Sequence, residues 1–325
     1  MAAPGVSVIM PVLNEELHLA DAVAAILASD YPGPIEVVLA LGPSHDATDE
    51  VARELSAADP AITLVDNPSG RTSAGLNAAI GAARHDIIIR VDGHALIPPD
   101  YVAIAVRTLE DTGADNVGGI MGAEGHSDFE CAVAAAMTSW FGVGGAAFHI
   151  GGQAGPALTV YLGCFRRSAL ERVGGFDESM VRAQDWELNH RIRATGGLVW
   201  FTPELHVTYR PRSSVKALAR QYFQYGRWRR EVTRRHPETV SVRYLAAPAT
   251  VAGITIGTVI GVIGSATRHQ RLATLGWAVP VGYALGNLAA SAWIGRGESP
   301  AVRIRIPAAL ATMHLAWGAG FLRGA

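Results

Sequence analysis

Two patterns that would announce a nucleotide-binding chain are missing: there is no GxGxxG turn and no GxxxxGK[ST] loop. Neither the dinucleotide fingerprint nor a P-loop is available, so a nucleotide has to be held by other means. Cysteine is scarce, with only Cys131 and Cys164, far apart and without a metal-like spacing. They read as core residues in a reducing compartment. The amino terminus has no basic, apolar, small-residue leader, since residues 6–12 are too short an apolar run and lead straight into a polar segment. The first domain is therefore expected to stay in the cytosol.

Charge is nearly absent from the last quarter and unevenly spread before it. Residues 1–204 carry 11 basic and 26 acidic side chains, residues 205–243 carry 10 and 2, and residues 244–325 carry six arginines and the single acid Glu298. The net charge of -2 hides an acidic globular part, a basic collar and an apolar tail. Within that tail residues 245–264 and 272–294 are uncharged, and each is long enough to cross roughly 30 Å of hydrocarbon. Residues 306–322 are a weaker third stretch, read as a short span or a tilted interfacial helix. Recurrent glycine and alanine suit helix packing through small residues. Arginines before residue 245 and after residue 294 place both flanks on the cytosolic side, although Arg268 and Arg271 dilute the bias.

The first half alternates strand and helix. Strands are expected at residues 6–10, 35–41, 62–65 and 86–91, with helices at 17–27, 50–55 and 73–83 between them. That rhythm is what a doubly wound sheet requires, and the ligands of such a sheet bind at the carboxyl ends of its strands. The fourth strand, DIIIRVDGH, delivers Asp92 and His94 to that edge. An oxygen and an imidazole two positions apart suit a divalent cation, but an ordinary turn with a capping histidine has the same spacing. Further strands are expected at 116–121, 159–166, 199–203 and 206–209, with helices at 98–110 and 168–173. Trp140 and Phe141 follow a small-residue helix and read more readily as core than as a substrate contact.

Asp185 begins a helical periodicity in QDWELNHRIRA. Spacing leaves two readings level: a first-turn carboxylate that caps the helix and favours its dipole, and a general base at the floor of a cleft. Residues 210–243 interleave arginine with aromatics and read as a helix lying on an anionic membrane surface. Nucleic acid ranks low as a partner, because the attached domain is strongly acidic.

Taken together, VSVIMPVLNEE, SHDAT, NPSGRTSAGLNAAIGAARHDIIIRVDGH, GGFDESMVRAQDWELNHRIRATGG and QYFQYGRW, in this order and followed by spans, resemble the family 2 glycosyltransferases, and within them the succinoglycan-type exopolysaccharide enzymes. The resemblance implies a GT-A fold, a Rossmann-like mixed sheet with helices on both faces. It implies a cytosolic catalytic domain over 1–209, a basic interfacial segment over 210–243 and two or three transmembrane helices over 244–325. By the same resemblance Pro11, Asn14, Glu15, Asp46 and Arg71 line the donor, and Asp92 and His94 form a DxH element for Mg²⁺ or Mn²⁺. Asp185 falls at the catalytic base, and Gln224, Arg227 and Trp228 reproduce a QxxRW pattern at the acceptor and diphosphate region.

The implied activity is metal-dependent, inverting transfer of a sugar from a UDP- or GDP-sugar to a polyprenyl-linked or glycolipid acceptor. The enzyme would sit in the cell membrane with its catalytic domain facing the cytoplasm. A polyprenyl-phosphate sugar synthase, a processive polysaccharide synthase and an inactive nucleotide-sugar-binding scaffold are the rival readings. One departure stands out: where the family usually carries an acid before the second-strand turn, this chain has Leu41, which cannot accept a hydrogen bond from a base.

Overall fold

The computed structural model describes residues 2–324. In chain order the elements are β1 (Val6–Val12), α1 (Leu19–Leu27), β2 (Ile35–Leu41), α2 (Thr48–Ala58), β3 (Ile62–Asp66), α3 (Thr72–Ala82), β4 (Ile87–Arg90), α4 (Tyr101–Thr112), β5 (Asn116–Ala123), α5 (Asp128–Met137), α6 (Trp140–Val143), α7 (Ala147–Ile150), β6 (Gly155–Pro156), β7 (Tyr161–Arg166), α8 (Arg167–Val173), α9 (Gln184–Ala194), β8 (Val199–Tyr209), α10 (Val215–Arg235), α11 (Val242–Ala266), α12 (Gln270–Ile294), α13 (Pro300–Arg303) and α14 (Ile306–Arg323). They fall into two compact units. One holds the chain up to Gly122 together with Ala146–Tyr209, and the other holds Ala123–Gly145 together with the chain from Arg210 onward.

The first unit is built on a mixed sheet with strand order β3-β2-β1-β4-β7-β5-β8-β6. Pairing is parallel from β3 to β4, with Val8 opposite Val37 on one side and Ile89 on the other. From β4 through β7 to β5 it is antiparallel, Ile89 facing Cys164 on β7. Side chains alternate between faces along a strand. Val6, Val8, Met10, Ile87 and Ile89 therefore meet Leu19, Val23 and Ile26 of α1 and Val102 and Leu109 of α4. Ile9 and Ile88 turn the other way, toward Leu76 of α3 and Leu188 and Ile192 of α9. Each such aliphatic side chain contributes about 1.5–3 kcal/mol when fully buried. The chain runs from β1 through β2 to β3, then returns to place β4 on the far side of β1. That reversal opens a crevice at the carboxyl ends of β1 and β4.

One strand differs from expectation. The stretch read as two short strands on either side of residues 204–205 is the single strand β8, which runs through Pro203. Its neighbour β6 reaches only Trp200 and Phe201, so beyond them β8 has a partner on one side alone. A residue without an N–H is tolerated at such a place.

In the second unit α11 and α12 form a tightly packed hairpin. A Cβ added at Gly276 would lie 2.1 Å from the Gly261 nitrogen, and one at Gly264 would lie 2.3 Å from the Ala273 nitrogen. Only glycine lets the two backbones approach so closely. Val242–Ala266 and Gln270–Gly297 are long and apolar enough to cross a membrane by length and composition.

The third apolar stretch, α14, packs instead along α10. Gly226 lies against the Trp317 carbonyl and Gly320 against the Phe223 carbonyl, each too close for a Cβ. Leu218, Tyr222, Gly226, Arg229 and Val232, the buried stripe of α10, repeat at helical spacing. Arg227 Nε donates to the Gly324 carbonyl at 2.8 Å and Arg230 Nη1 to the Phe321 carbonyl at 3.2 Å. These contacts satisfy carbonyls that a helix leaves open at its C-terminus.

Trp140 and Phe141 are not core residues. They are 71% and 51% exposed, because the short α6 rests on its glycine: Gly142 abuts the Ala136 carbonyl, and Ser139 accepts a hydrogen bond from its N–H. Cys131 and Cys164 are both free thiols, half-buried and buried respectively.

Candidate functional site

The loops after β1 and β2 are stitched together at the carboxyl edge of the sheet. Asn14, with a left-handed φ of 56°, donates its backbone N–H to Ser44 Oγ at 3.1 Å and accepts the His45 N–H on Oδ1 at 2.9 Å. Asparagine is among the few side chains that tolerate this conformation. The Glu15 N–H donates to Thr48 Oγ1 at 2.7 Å, and Glu16 accepts the Ala47 N–H at 2.9 Å.

Asp46 closes the same turn by accepting from the Thr48 hydroxyl and N–H and from the Glu16 N–H. The Thr48 hydroxyl leads in holding its carboxyl below the usual range. Pro11, one residue before the end of β1, lies opposite Ala40, and Leu41 pairs with Asp66 on β3. The sequence pointed to Pro11, Asn14, Glu15 and Asp46; Ser44 and Thr48, which hold the two loops in register, it did not single out.

Arg71 lies at the N-cap of α3, and its Nη1 reaches the Glu178 carbonyl at 3.4 Å. Two more residues of α3 hold the turn that leads to Asp185: Ser73 Oγ donates to the Met180 carbonyl at 3.0 Å, and Asn77 Nδ2 donates to the Phe176 carbonyl at 2.9 Å. Past that turn Ala183 takes a left-handed φ of 61° just before α9 begins. Alanine gains nothing from that conformation, and such backbone positions cluster where a side chain must be aimed.

The aimed side chain is Asp185. Among the described residues the hydrogen bond its carboxylate accepts does not come from its own helix. Its Oδ1 instead accepts from Nη1 of Arg90. Arg90 Nε and Nη2 donate to Oδ1 of Asp92, at 3.0 and 2.8 Å. One guanidinium thus joins a carboxylate at the end of β4 to a carboxylate in the first turn of α9.

The strand geometry explains how: Arg90 shares its face with Ile88, two positions earlier, and that is the face covered by α3 and α9. Arg90 is 5% exposed, whereas the side chains of Asp92 and Asp185 are 22% and 34% exposed. Burial raises the Asp185 carboxyl above its ordinary range and the charge of Asp92 adds to the rise, while Arg90 opposes both.

Beside this triad Nδ1 of His94 lies 2.7 Å from Oε1 of Glu15, joining the β4 edge to the β1 loop. Among the described residues both hydrogen bonds from Arg90 to Asp92 reach Oδ1, and none is made to its second carboxylate oxygen. Carboxylate oxygen and imidazole nitrogen at a partly exposed edge are the donor chemistry that Mg²⁺ or Mn²⁺ accepts, so the residues present fit such an ion. Gln224, Arg227 and Trp228 lie together on α10 in the other unit.

Arg90 is the residue that sequence reasoning missed. The available signal was a charge at the end of three consecutive isoleucines in a strand buried on both faces.

Comparison with known proteins points the same way. A family model described as glycosyl transferase family 2 matches residues 7–174. The chain is 33% identical over 321 residues to the succinoglycan biosynthesis protein ExoA of Rhizobium meliloti (strain 1021), covering 97% of this chain and 93% of that one. It is 26% identical over 230 residues to the dolichyl N-acetyl-alpha-D-glucosaminyl phosphate 3-beta-D-2,3-diacetamido-2,3-dideoxy-beta-D-glucuronosyltransferase of Methanococcus voltae, covering 68% and 71%. Among solved structures, the mannosyltransferase PcManGT from Pyrobaculum calidifontis in complex with GDP-Man and Mn²⁺ is similar with a TM-score of 0.59 at 23% identity, covering 99% of this chain and 89% of that one. At that identity the likeness is one of fold, and the fold is GT-A.

Proposed function

The chain belongs to glycosyl transferase family 2, and from that premise we propose that it moves a sugar from a UDP- or GDP-sugar to a lipid-linked acceptor, with inversion at the anomeric carbon. The observation that carries the reading is the shared guanidinium of Arg90, which holds Asp92 of the strand edge and Asp185 of α9 at one place. A carboxylate for the donor side and a carboxylate for the acceptor side are the two charges such a transfer needs.

Asp185 accepts the proton of the acceptor hydroxyl as that oxygen attacks the anomeric carbon, and the bond from that carbon to the diphosphate oxygen breaks on the opposite side. The stitched loops carrying Asn14, Glu15 and Asp46 form the floor on which the nucleotide lies. Asp92 and His94 are the residues that would hold Mg²⁺ or Mn²⁺. The ion supplies charge compensation for the departing nucleoside diphosphate. The GDP-mannose and Mn²⁺ held by the Pyrobaculum calidifontis protein support the donor class and the metal. The succinoglycan and dolichyl-phosphate names of the relatives support a lipid-linked acceptor and a place at the membrane.

The test is turnover of UDP- and GDP-sugars by detergent-purified protein in a bacterial polyprenyl-lipid extract, with Mn²⁺, Mg²⁺ or EDTA. One donor is expected to release its nucleoside diphosphate only with metal, coupled to a glycolipid of inverted anomeric configuration. Binding of a donor without turnover across the extract would overturn the reading in favour of a non-catalytic binding protein. Transfer to polyprenyl phosphate that survives Asp185→Asn would assign a polyprenyl-phosphate sugar synthase.

A further inference from the structure

A guanidinium enclosed in the protein is tolerated only when its charge is paired, and Arg90 is paired twice, with carboxylates two and 95 positions away from it in sequence. Among the described residues no other cation lies within ion-pair distance of Asp92 or of Asp185. One positive charge therefore serves two negative ones. The pairing is also uneven: Nε and Nη2 both go to Asp92, and Nη1 alone goes to Asp185. All three bonds use a single oxygen of each carboxylate, and among the described residues the second oxygen of Asp92 carries none. A divalent cation held by that carboxylate would change the balance. Two positive centres then flank one carboxylate, and their repulsion is strong where water is scarce.

We propose that Arg90 is a positioning residue that couples occupancy of Asp92 to the aim of Asp185. It divides its hydrogen bonds between the two carboxylates in the protein alone, and it shifts them toward Asp185 when a divalent cation shares Asp92. The coupling rests on the glycosyltransferase reading above. It orders the reaction: the acceptor-side base is fixed in place only after the donor's metal has arrived. Coupling of this kind is reciprocal, so whatever frees Arg90 from Asp185 must change the affinity for metal at Asp92.

The experiment measures Mn²⁺ affinity by the free-ion EPR signal, with GDP or UDP present, on full-length detergent-purified protein and three variants. Arg90→Met removes the charge at similar length, and it is expected to bind Mn²⁺ about tenfold more tightly because a like charge has gone. Its transfer rate is expected to fall about a hundredfold, with donor KM little changed, since the base has lost its support.

Asp185→Asn returns Arg90 to Asp92 and is expected to bind Mn²⁺ several-fold more weakly. Arg90→Lys, which keeps the charge but not the fork, falls between wild type and Arg90→Met in transfer while keeping wild-type metal affinity. A merely structural role for Arg90 predicts weaker metal binding in Arg90→Met, the opposite sign. Unchanged or weaker Mn²⁺ binding in a folded Arg90→Met protein overturns the coupling. Should that variant not fold, unchanged affinity in Asp185→Asn overturns it equally. A wild type that neither binds Mn²⁺ nor turns over any donor overturns the functional reading as well, whereas an active wild type with indifferent variants overturns the coupling alone.

Discussion

Asn77 treats Phe176 as one strand treats its neighbour. Its Nδ2 donates to the Phe176 carbonyl at 2.9 Å while its Oδ1 accepts the Phe176 N–H at 2.8 Å. One helical turn earlier Ser73 holds the Met180 carbonyl, so one face of α3 grips both ends of the turn before Asp185. The grip needs Gly175 at φ 72°, since a Cβ there would lie 2.7 Å from Asn77 Oδ1. Side-chain hydrogen bonds of this kind order a loop with no sequence neighbour to help it.

Removing the grip exposes its role. Asn77→Ala strands both the N–H and the carbonyl of Phe176 and is expected to cost about 1–3 kcal/mol of stability. Transfer should fall with it, read as a lower kcat at little-changed donor KM. Asn77→Asp, which still accepts the N–H but sets a carboxylate oxygen against the Phe176 carbonyl and the Glu178 carboxylate, should be no milder than Asn77→Ala; thermal unfolding and steady-state kinetics check both.

The two carboxylates make separable predictions. Loss of a general base costs typically about 10²–10⁴-fold, so Asp185→Asn should drop transfer by that order while nucleotide binding, measured by calorimetry, persists. Asp92→Asn should instead lose metal-dependent nucleotide binding itself.

Glu36 offers a pH test away from the site. It is 2% exposed and receives the Ser7 hydroxyl, the Arg84 N–H and the Arg84 guanidinium. Burial alone would raise its carboxyl, but these donors together hold it below the ordinary value. A lowered folded-state pKa contributes stability that is fully present above the unfolded pKa of about 4.3 and disappears as pH falls through the folded value. Glu36→Gln should therefore melt below wild type at neutral pH, by an amount on the order of 1–3 kcal/mol. The gap should close under acid, and melting curves from pH 7 down to about pH 3 would show it. A gap independent of pH would contradict the assignment.

The helical hairpin has an internal control. Gly276→Val forces a side chain into the Gly261 backbone and should lower thermal stability and yield in detergent. Gly282→Ala, on the same helix with nothing within 4 Å of its added Cβ, should be neutral or slightly stabilising.

Most of the parallel half was legible because its strands are short apolar runs and period alone decides which face each residue takes. Ile35–Leu41 was read to the residue; Asp92 and His94 stood out because an acid and an imidazole end an apolar strand, and Asp185 because a carboxylate opens a helical periodicity. Arg90 did not, since its partners lie two and 95 positions away and sequence proximity hints at only one of them. The left-handed backbone at Ala183 left no trace, because alanine is not the residue that signals it. The stripe of α10 was visible as amphipathic, but amphipathicity says only that one side is covered. A lipid surface and a neighbouring helix satisfy the same pattern, and on α10 the stripe is taken by α14.

The packing of α14 against α10 also fixes parity. α10 enters the hairpin and α14 leaves it, and the two touch backbone to backbone at Gly226 and Gly320. A bilayer penetrated by α11 must be recrossed by α12, because an odd number of crossings would leave α10 and α14 in different compartments. The pair closes the hairpin like a clasp, so whichever side α10 occupies α14 shares.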